Sequence, residues 1–170
     1  MYNFQTPAGF EQMYEDFFPR VYNYVFYRLL HKEQAEDVVA DIFTKVLENL
    51  YRYDSRKGSF STWIFTVARN TLNDHYRKRR VCISMDDPDH PIEPSVDFEE
   101  QCSVIVDEQL REMYQALATL DERTRMVLSL KYFGEFTNRE ISRQTGINES
   151  TVSTLCVRGL AKLEKVLPVG

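Results

Sequence analysis

Between residues 60 and 80 the chain reads FSTWIFTVARNTLNDHYRKRR. Thr66, Asn70, Asn73 and Arg77 recur at intervals of four, three and four residues, so on a helix they share one face, and that face runs into Lys78, Arg79 and Arg80. An Asn side chain carries two donors and an acceptor that can read the edge of an exposed base, while clustered cations meet phosphates. The chemistry implied is nucleic-acid binding; a solvated helix face is the competing reading of the charge run. Bond-making chemistry has no comparable signal. His31, His75 and His90 show no metal-ligand spacing and no partner acid or nucleophile. Cys82, Cys102 and Cys156 are far apart, odd in number and without a C-x-x-C pair, which reads as buried or incidental thiols. No catalytic residue, metal or cofactor is expected.

A helix over 60–80 must present the Asn face by burying another. Phe60, Ile64, Val67, Ala68 and Leu72, with Trp63 and Thr71 beside them, form the apolar stripe, and Ser59 or Ser61 can cap its start. Upstream, Phe10, Met13, Tyr14, Phe17, Phe18, Val21, Tyr24 and Val25 recur at helical spacing, with Pro19 expected to kink or split the element. Over 33–50 a second amphipathic helix buries Val38, Val39, Ile42, Phe43, Val46, Leu47 and Leu50. Its polar face carries Asp37, Asp41, Lys45 and Glu48. Residues 51–59, with Gly58 and two Ser, read as a loop bearing Arg52, Arg56 and Lys57.

Periodicity stops at 81–107, where Pro88, Pro91 and Pro94 fall among acids. It resumes with Leu110, Met113, Leu117 and Leu120, then an apolar run over 126–133 that Asp121 can start and Gly134 end. Thr137 and Glu140 form a capping box for a helix stopping near Gly146, and Asn148 can cap a last helix reaching about Val166. Helix, glycine turn and helix make a helix-turn-helix. Ile141, Ser142, Val152, Leu155, Cys156, Leu160 and Leu163 face inward. Ser150, Thr151, Ser153, Thr154, Val157 and Arg158 face out, where Arg158 can grip a guanine bidentately, and Asn138 and Arg139 can hold phosphates.

The expected architecture is all-α: a helical domain over 1–80, an acidic linker over 81–109 and a helix-turn-helix domain over 110–170. The net charge of -5 looks unsuited to DNA until it is divided. Residues 1–80 carry 12 Lys and Arg against 10 Asp and Glu, 81–109 none against 9, and 110–170 nine against 7, so the excess acid sits in the linker alone. No basic leader precedes an apolar run at the N-terminus and no stretch of eighteen apolar residues occurs, which predicts a cytoplasmic protein without membrane insertion.

Phe60, Trp63, Ala68 and Asn70 follow the F-x-x-W pattern of region two of bacterial RNA polymerase sigma factors, and this half of the chain resembles their extracytoplasmic-function group. The run LDERTRMVLSLKYFGEFTNREISRQTGINESTVSTL resembles region four of the same family. The resemblance implies a transcription initiation factor that binds core RNA polymerase and directs it to promoters. It implies that the polar face of the second helix, Asp37, Asp41, Thr44, Lys45 and Glu48, docks on the clamp helices of the largest polymerase subunit. It further implies that Arg52, Arg56, Lys57, Trp63, Thr66, Asn70, Asn73, Arg77, Lys78, Arg79 and Arg80 recognise and help open the minus-ten element, the loop taking a flipped base. The outer helix-turn-helix residues, with Asn138 and Arg139, would read the minus-thirty-five element, the linker would thread toward the polymerase cleft, and an anti-sigma factor is the implied regulator. The chain departs from the family pattern at Ala40 and Asp41, where glutamine and glutamate are usual, and at Ser153 and Leu155, which often are basic. Two rival readings are a free-standing helix-turn-helix regulator of operators and a polymerase adaptor without DNA readout; the Asn-bearing basic helix argues against the first, the second half of the chain against the other.

Overall fold

A computed structural model describes residue 4 and residues 6–86 and 108–167, with side chains described outside 80–86 and 108–110. Among these residues every regular element is a helix: α1 Pro7–Leu29, α2 Lys32–Asn49, a short 3-10 turn Leu50–Arg52, α3 Phe60–Asp86, α4 Glu108–Ala118, α5 Glu122–Tyr132, α6 Asn138–Thr145 and α7 Glu149–Val166. The Arg80 side chain and the stretch 87–107 expected to be linker lie outside what is described, as do Cys102, His90 and the side chain of Cys82. The expected end of the basic helix at Arg80 is corrected, because α3 continues six residues further.

α1 starts where the Thr6 side chain accepts from the Gly9 N–H at 3.2 Å and Pro7, whose missing N–H is no loss there, opens the first turn. The helix is not split at Pro19. Proline inside a helix costs about 3 kcal/mol, but Val21, Tyr24 and Val25 beyond it and Met13 and Phe17 before it are all buried. At roughly 1.5–3 kcal/mol for each such side chain, burial outweighs the break. α2, entered by His31 whose Nδ1 accepts from the Gln34 N–H, buries Ala35, Val38, Val39, Ile42, Phe43 and Val46. Leu47, expected inside, is 52% exposed because it stands at the edge of the arc centred on Val39, Phe43 and Val46. Against this pair α3 lays Phe60, Ile64, Phe65, Ala68 and Leu72, its first turn capped by Ser59, which accepts from the Thr62 N–H at 3.2 Å.

In the second half each expected N-cap forms, whereas Gly134, expected to end α5, leaves the left-handed conformation to Glu135 at φ 58°. Asp121 accepts from Thr124 N–H at 2.9 Å, Thr137 and Glu140 make the reciprocal capping box, and Asn148 accepts from Ser150 N–H at 2.9 Å. Gly146 turns the chain between α6 and α7 with φ 73°, a left-handed conformation that glycine adopts without penalty. Ile141, Ile147, Val152 and Cys156 close the hairpin. Leu160, expected inward, lies at 36% exposure on the open side of α7.

Gly159 explains itself in space. A Cβ there would come within 2.7 Å of Thr124 Cγ2 and 2.9 Å of Leu128 Cδ1, so α7 crosses α5 closely enough that a methyl at this position must displace one of those side chains. Alanine is the better helix former by about 1 kcal/mol, whereas forcing a methyl into a filled site costs about 1–3 kcal/mol. Gly159→Ala is therefore expected to lower stability; a melting temperature above that of the parent chain would show that the crossing relaxes.

The two helical domains also pack against one another, forming a continuous apolar cluster. Tyr27 of α1 stacks on Phe133 with centroids 5.1 Å apart, Phe26 meets Tyr114, and Phe65 of α3 meets Phe136 edge-on at 5.7 Å. Arg28, 3% exposed, pairs with Glu122 at 3.1 Å and lies over the rings of Tyr24 and Tyr76. Burial by itself depresses the guanidinium, and Tyr24, Tyr76 and Glu122 more than offset this, leaving its pKa raised. Arg20 Nε donates to the Phe133 carbonyl at 2.9 Å and Nη2 to that of Gly134 at 3.1 Å.

Candidate nucleic-acid interface

α3 sorts its residues as the Asn periodicity requires. With its apolar stripe turned into the bundle, Asn70 and Asn73 are exposed, as are Arg77 and Lys78, while Thr66 and Arg79 are half-buried. Thr66 Oγ1 donates back to the Thr62 carbonyl at 2.7 Å, so its proton is committed within the helix and only its lone pairs face a ligand. Arg77 pairs with Asp74 at 2.9 Å across one turn, with both side chains substantially exposed, a pairing weak enough for a phosphate to displace.

At the start of α3 the loop builds a floor of rings. Trp63, half-buried, lies 5.7 Å from Tyr53 and 5.4 Å from Phe60, and Tyr53 also packs edge-on to Phe60 at 5.1 Å. The Tyr53 hydroxyl donates to the Gly58 carbonyl at 3.3 Å, which draws the loop shut. Tyr53 was missed by the sequence reading; the signal available was its place in the aromatic pair Tyr51 and Tyr53 at the edge of a cationic loop. Arg56 forks onto Asp54 at 2.9 and 2.8 Å, and these hydrogen bonds hold the Asp54 carboxyl below its usual range. Arg52 lies over the Tyr51 ring and donates to its hydroxyl at 2.9 Å. Lys57 is exposed. Asn70 stands seven residues beyond Trp63, about 10 Å along the helix axis.

On α2, Asp37, Asp41, Thr44 and Glu48 are exposed. Lys45 is drawn off this face: half-buried, it donates to the Thr71 hydroxyl of α3 at 3.2 Å. Leu47 and Tyr51, at 52% and 75% exposure, add apolar surface beside Thr44 and Glu48 that amphipathic counting had assigned to the core or passed over. The acidic face of α2 and the basic end of α3 meet at His75, which contacts the Gln34 side chain at 3.4 Å. Its pKa is lowered, first by burial and then by Arg79, against the opposing pull of Asp37 and Asp41.

The third cluster lies on α6 and α7. Ser150, Ser153, Thr154, Val157 and Arg158 are exposed and Thr151 is half-buried. The Thr154 hydroxyl donates to the Ser150 carbonyl at 2.9 Å and that of Ser150 to Asn148 at 2.8 Å, so both offer acceptors outward and their protons inward. Val157, 65% exposed, is an apolar contact of the kind a thymine methyl accepts. Arg139 is exposed, whereas Asn138 is half-buried and accepts from Lys131 at 3.1 Å. Among the described residues no three His, Cys, Asp or Glu side chains gather to hold a metal ion, and no helix is long and apolar enough to cross a membrane.

Two family patterns match the chain in order, sigma-70 region 2 over residues 13–81 and sigma-70 region 4 over 110–163. The chain is similar to the ECF RNA polymerase sigma factor BldN of Streptomyces coelicolor, 24% identical over 160 residues that cover 94% of this chain and 61% of BldN. To the ECF RNA polymerase sigma factor RpoE of Cereibacter sphaeroides it is 27% identical over 161 residues, covering 93% of this chain and 86% of that protein. Its fold is shared with the sigma factor RpoE of Bartonella quintana, solved in complex with the anti-sigma factor NepR: the TM-score is 0.72 at 20% identity, over 93% of this chain and 96% of that one. With both regions matched in order and relatives of the group aligned over more than nine-tenths of its length, the chain belongs to the sigma-70 family, in its extracytoplasmic-function group, and is a transcription initiation factor that directs RNA polymerase to promoters.

Proposed function

We propose that three faces divide the work of initiation. Asp37, Asp41, Thr44 and Glu48, with Leu47 and Tyr51 beside them, dock α2 on the clamp helices of core polymerase. The exposed side of α3, from the ring floor at Trp63 through Asn70 and Asn73 to Arg77, Lys78 and Arg79, takes the minus-ten element as it opens. The outer side of α7 reads the minus-thirty-five element. The observation that carries the reading is the position of Asn70 and Asn73, exposed in line with the cations on a helix whose other side is wholly committed to the core. A free-standing operator binder would leave that line idle. The factor performs no bond chemistry itself, works in the cytoplasm, and is held inactive by an anti-sigma protein.

Opening tests it most directly. Flipping a base costs a few kcal/mol that only contacts in the opened state can offset. Asn70→Ala is expected to leave closed-complex binding nearly intact while reducing permanganate reactivity of the minus-ten thymines, and premelting that segment by mismatches is expected to restore it. Normal melting by the variant, or no rescue on premelted DNA, makes Asn70 structural and removes base capture from this face.

A further inference from the structure

Among the residues with described side chains, Arg28 is the one charged group that is buried. It does not lie alone. Arg69 of α3 and Arg125 of α5, both half-buried, belong to the same cluster: Arg28 and Arg69 act together on the Tyr24 hydroxyl, and Arg28 and Arg125 on that of Tyr76. Burial depresses the Arg125 guanidinium, and Arg28 adds to this against the pull of Tyr76 and Glu122. The Glu122 carboxylate answers the three cations, 3.1 Å from Arg28. Asp121 also acts on Arg125, but its two oxygens are taken by the Thr124 N–H and hydroxyl.

The cluster has donors to spare. Among the described residues no acceptor meets the buried Nε–H of Arg28, Arg69 or Arg125. The rings of Tyr24 and Tyr76 lie against the Arg28 guanidinium, yet a ring face answers its charge and not its in-plane N–H groups. The Tyr24 hydroxyl accepts from Arg28 at 3.3 Å and so keeps its own proton to donate, whereas the Tyr76 proton goes to the Arg28 carbonyl at 3.1 Å. Buried donors without acceptors are unfavourable, and here they sit on cations. Three guanidiniums against the Glu122 carboxylate leave an excess of two positive charges, or of one when Asp121 is included. A carboxylate ligand offers one charge and two oxygens. A phosphoryl group offers up to two charges and three oxygens, which guanidinium forks grip bidentately.

We propose that Arg28, Arg69 and Arg125, with the Tyr24 hydroxyl, form a binding site for a phosphoryl anion, which enters beside Glu122 and turns its carboxylate aside. The Glu122 side chain is half exposed, so it can move into water while Arg28 stays in place.

Pyrophosphate is the probe, with sodium chloride at equal ionic strength and acetate beside it. On the full chain pyrophosphate is expected to raise Tm saturably, by roughly 3–6 °C at ten times its apparent Kd, and acetate to raise it no more than chloride does. Arg125→Gln and, separately, Arg69→Gln, each shown by circular dichroism to keep its helices, are expected to bind pyrophosphate at least tenfold more weakly. Glu122→Gln separates a ligand site from mere packing. It is expected to melt below the parent in chloride, because Arg28 loses its counter-charge, yet to bind pyrophosphate several-fold more tightly, because the resident carboxylate no longer competes. Arg123→Gln on α5 and Lys78→Gln on α3, both at exposed positions, are expected to titrate like the parent. Adenosine diphosphate run in parallel reads the source: binding equal to pyrophosphate supports free phosphates as the ligand, tighter binding supports a nucleotide, and both uphold the site. No rise beyond chloride, a rise shared by acetate, or parental binding by Arg125→Gln or Arg69→Gln would overturn it. So would weaker binding by Glu122→Gln, or losses in Arg123→Gln or Lys78→Gln as large as those in the cluster.

Discussion

Reversing Asp37 and Asp41 together to Lys is expected to abolish binding to core RNA polymerase while the helical fold survives. Both side chains are exposed on α2, and exposed substitutions usually change stability by within about 0.5 kcal/mol. At an interface the same change has a different scale, because placing like charges opposite a complementary patch costs several kcal/mol. Glu11→Lys with Glu15→Lys, two exposed positions on α1, supplies the same change in net charge away from the α2 face and is expected to bind core normally. Affinity measured by fluorescence anisotropy, with thermal melts beside it, separates the outcomes: unchanged affinity in the α2 variant refutes the docking face. A loss shared by both pairs would assign the effect to overall charge. The α2 pair also stands beside His75, Lys78 and Arg79, so removing its acids lowers the His75 pKa further, which a proton NMR titration reads independently of any partner.

Arg158→Ala is expected to weaken recognition of the preferred upstream sequence by about 1–3 kcal/mol and to relax choice at a single base pair. Arg158 is exposed on α7 one turn beyond Thr154, whose hydroxyl proton is directed to the Ser150 carbonyl, so the arginine is the stronger reader of the two. Val157 beside it supplies an apolar contact and no charge. Binding measured across single-base variants of the upstream element, at two salt concentrations, decides its role. An equal loss on every sequence, with the salt slope reduced by about 1, would make Arg158 a phosphate contact instead.

Local rules were legible in the sequence because they act within a few residues. Thr137 with Glu140, Asp121, Asn148 and Gly146 each have a chemistry that works only at a helix end, and each stands there. The Asn face of α3 was legible for the same reason, since spacing alone places Asn70 and Asn73 together. What spacing does not carry is the partner of a face. Phe65 lies off the stripe counted from Phe60 to Leu72 because it serves a second contact, Phe136 of the other domain. Arg28 reads as a surface cation until Tyr24, Tyr76 and Glu122 are known to surround it. Lys45 was counted on the polar face of α2, and only the position of Thr71 on a different helix removes it. Leu47 and Leu160 failed in the opposite direction, as apolar residues at the edge of an arc that no neighbour covers.

The ring floor beneath the loop has a spectroscopic consequence. The chain contains one tryptophan, and Trp63 sits half-buried between Tyr53 and Phe60 at the start of the helix that carries Asn70. Every photon of indole emission therefore originates at the surface where opened DNA is expected to arrive. A nucleobase settling on that floor changes the polarity around the indole and stacks within quenching distance, so unlabelled protein mixed rapidly with single-stranded minus-ten DNA reports the arrival in its own fluorescence. Events at α7 lack a fluorophore of this kind and leave that signal unchanged.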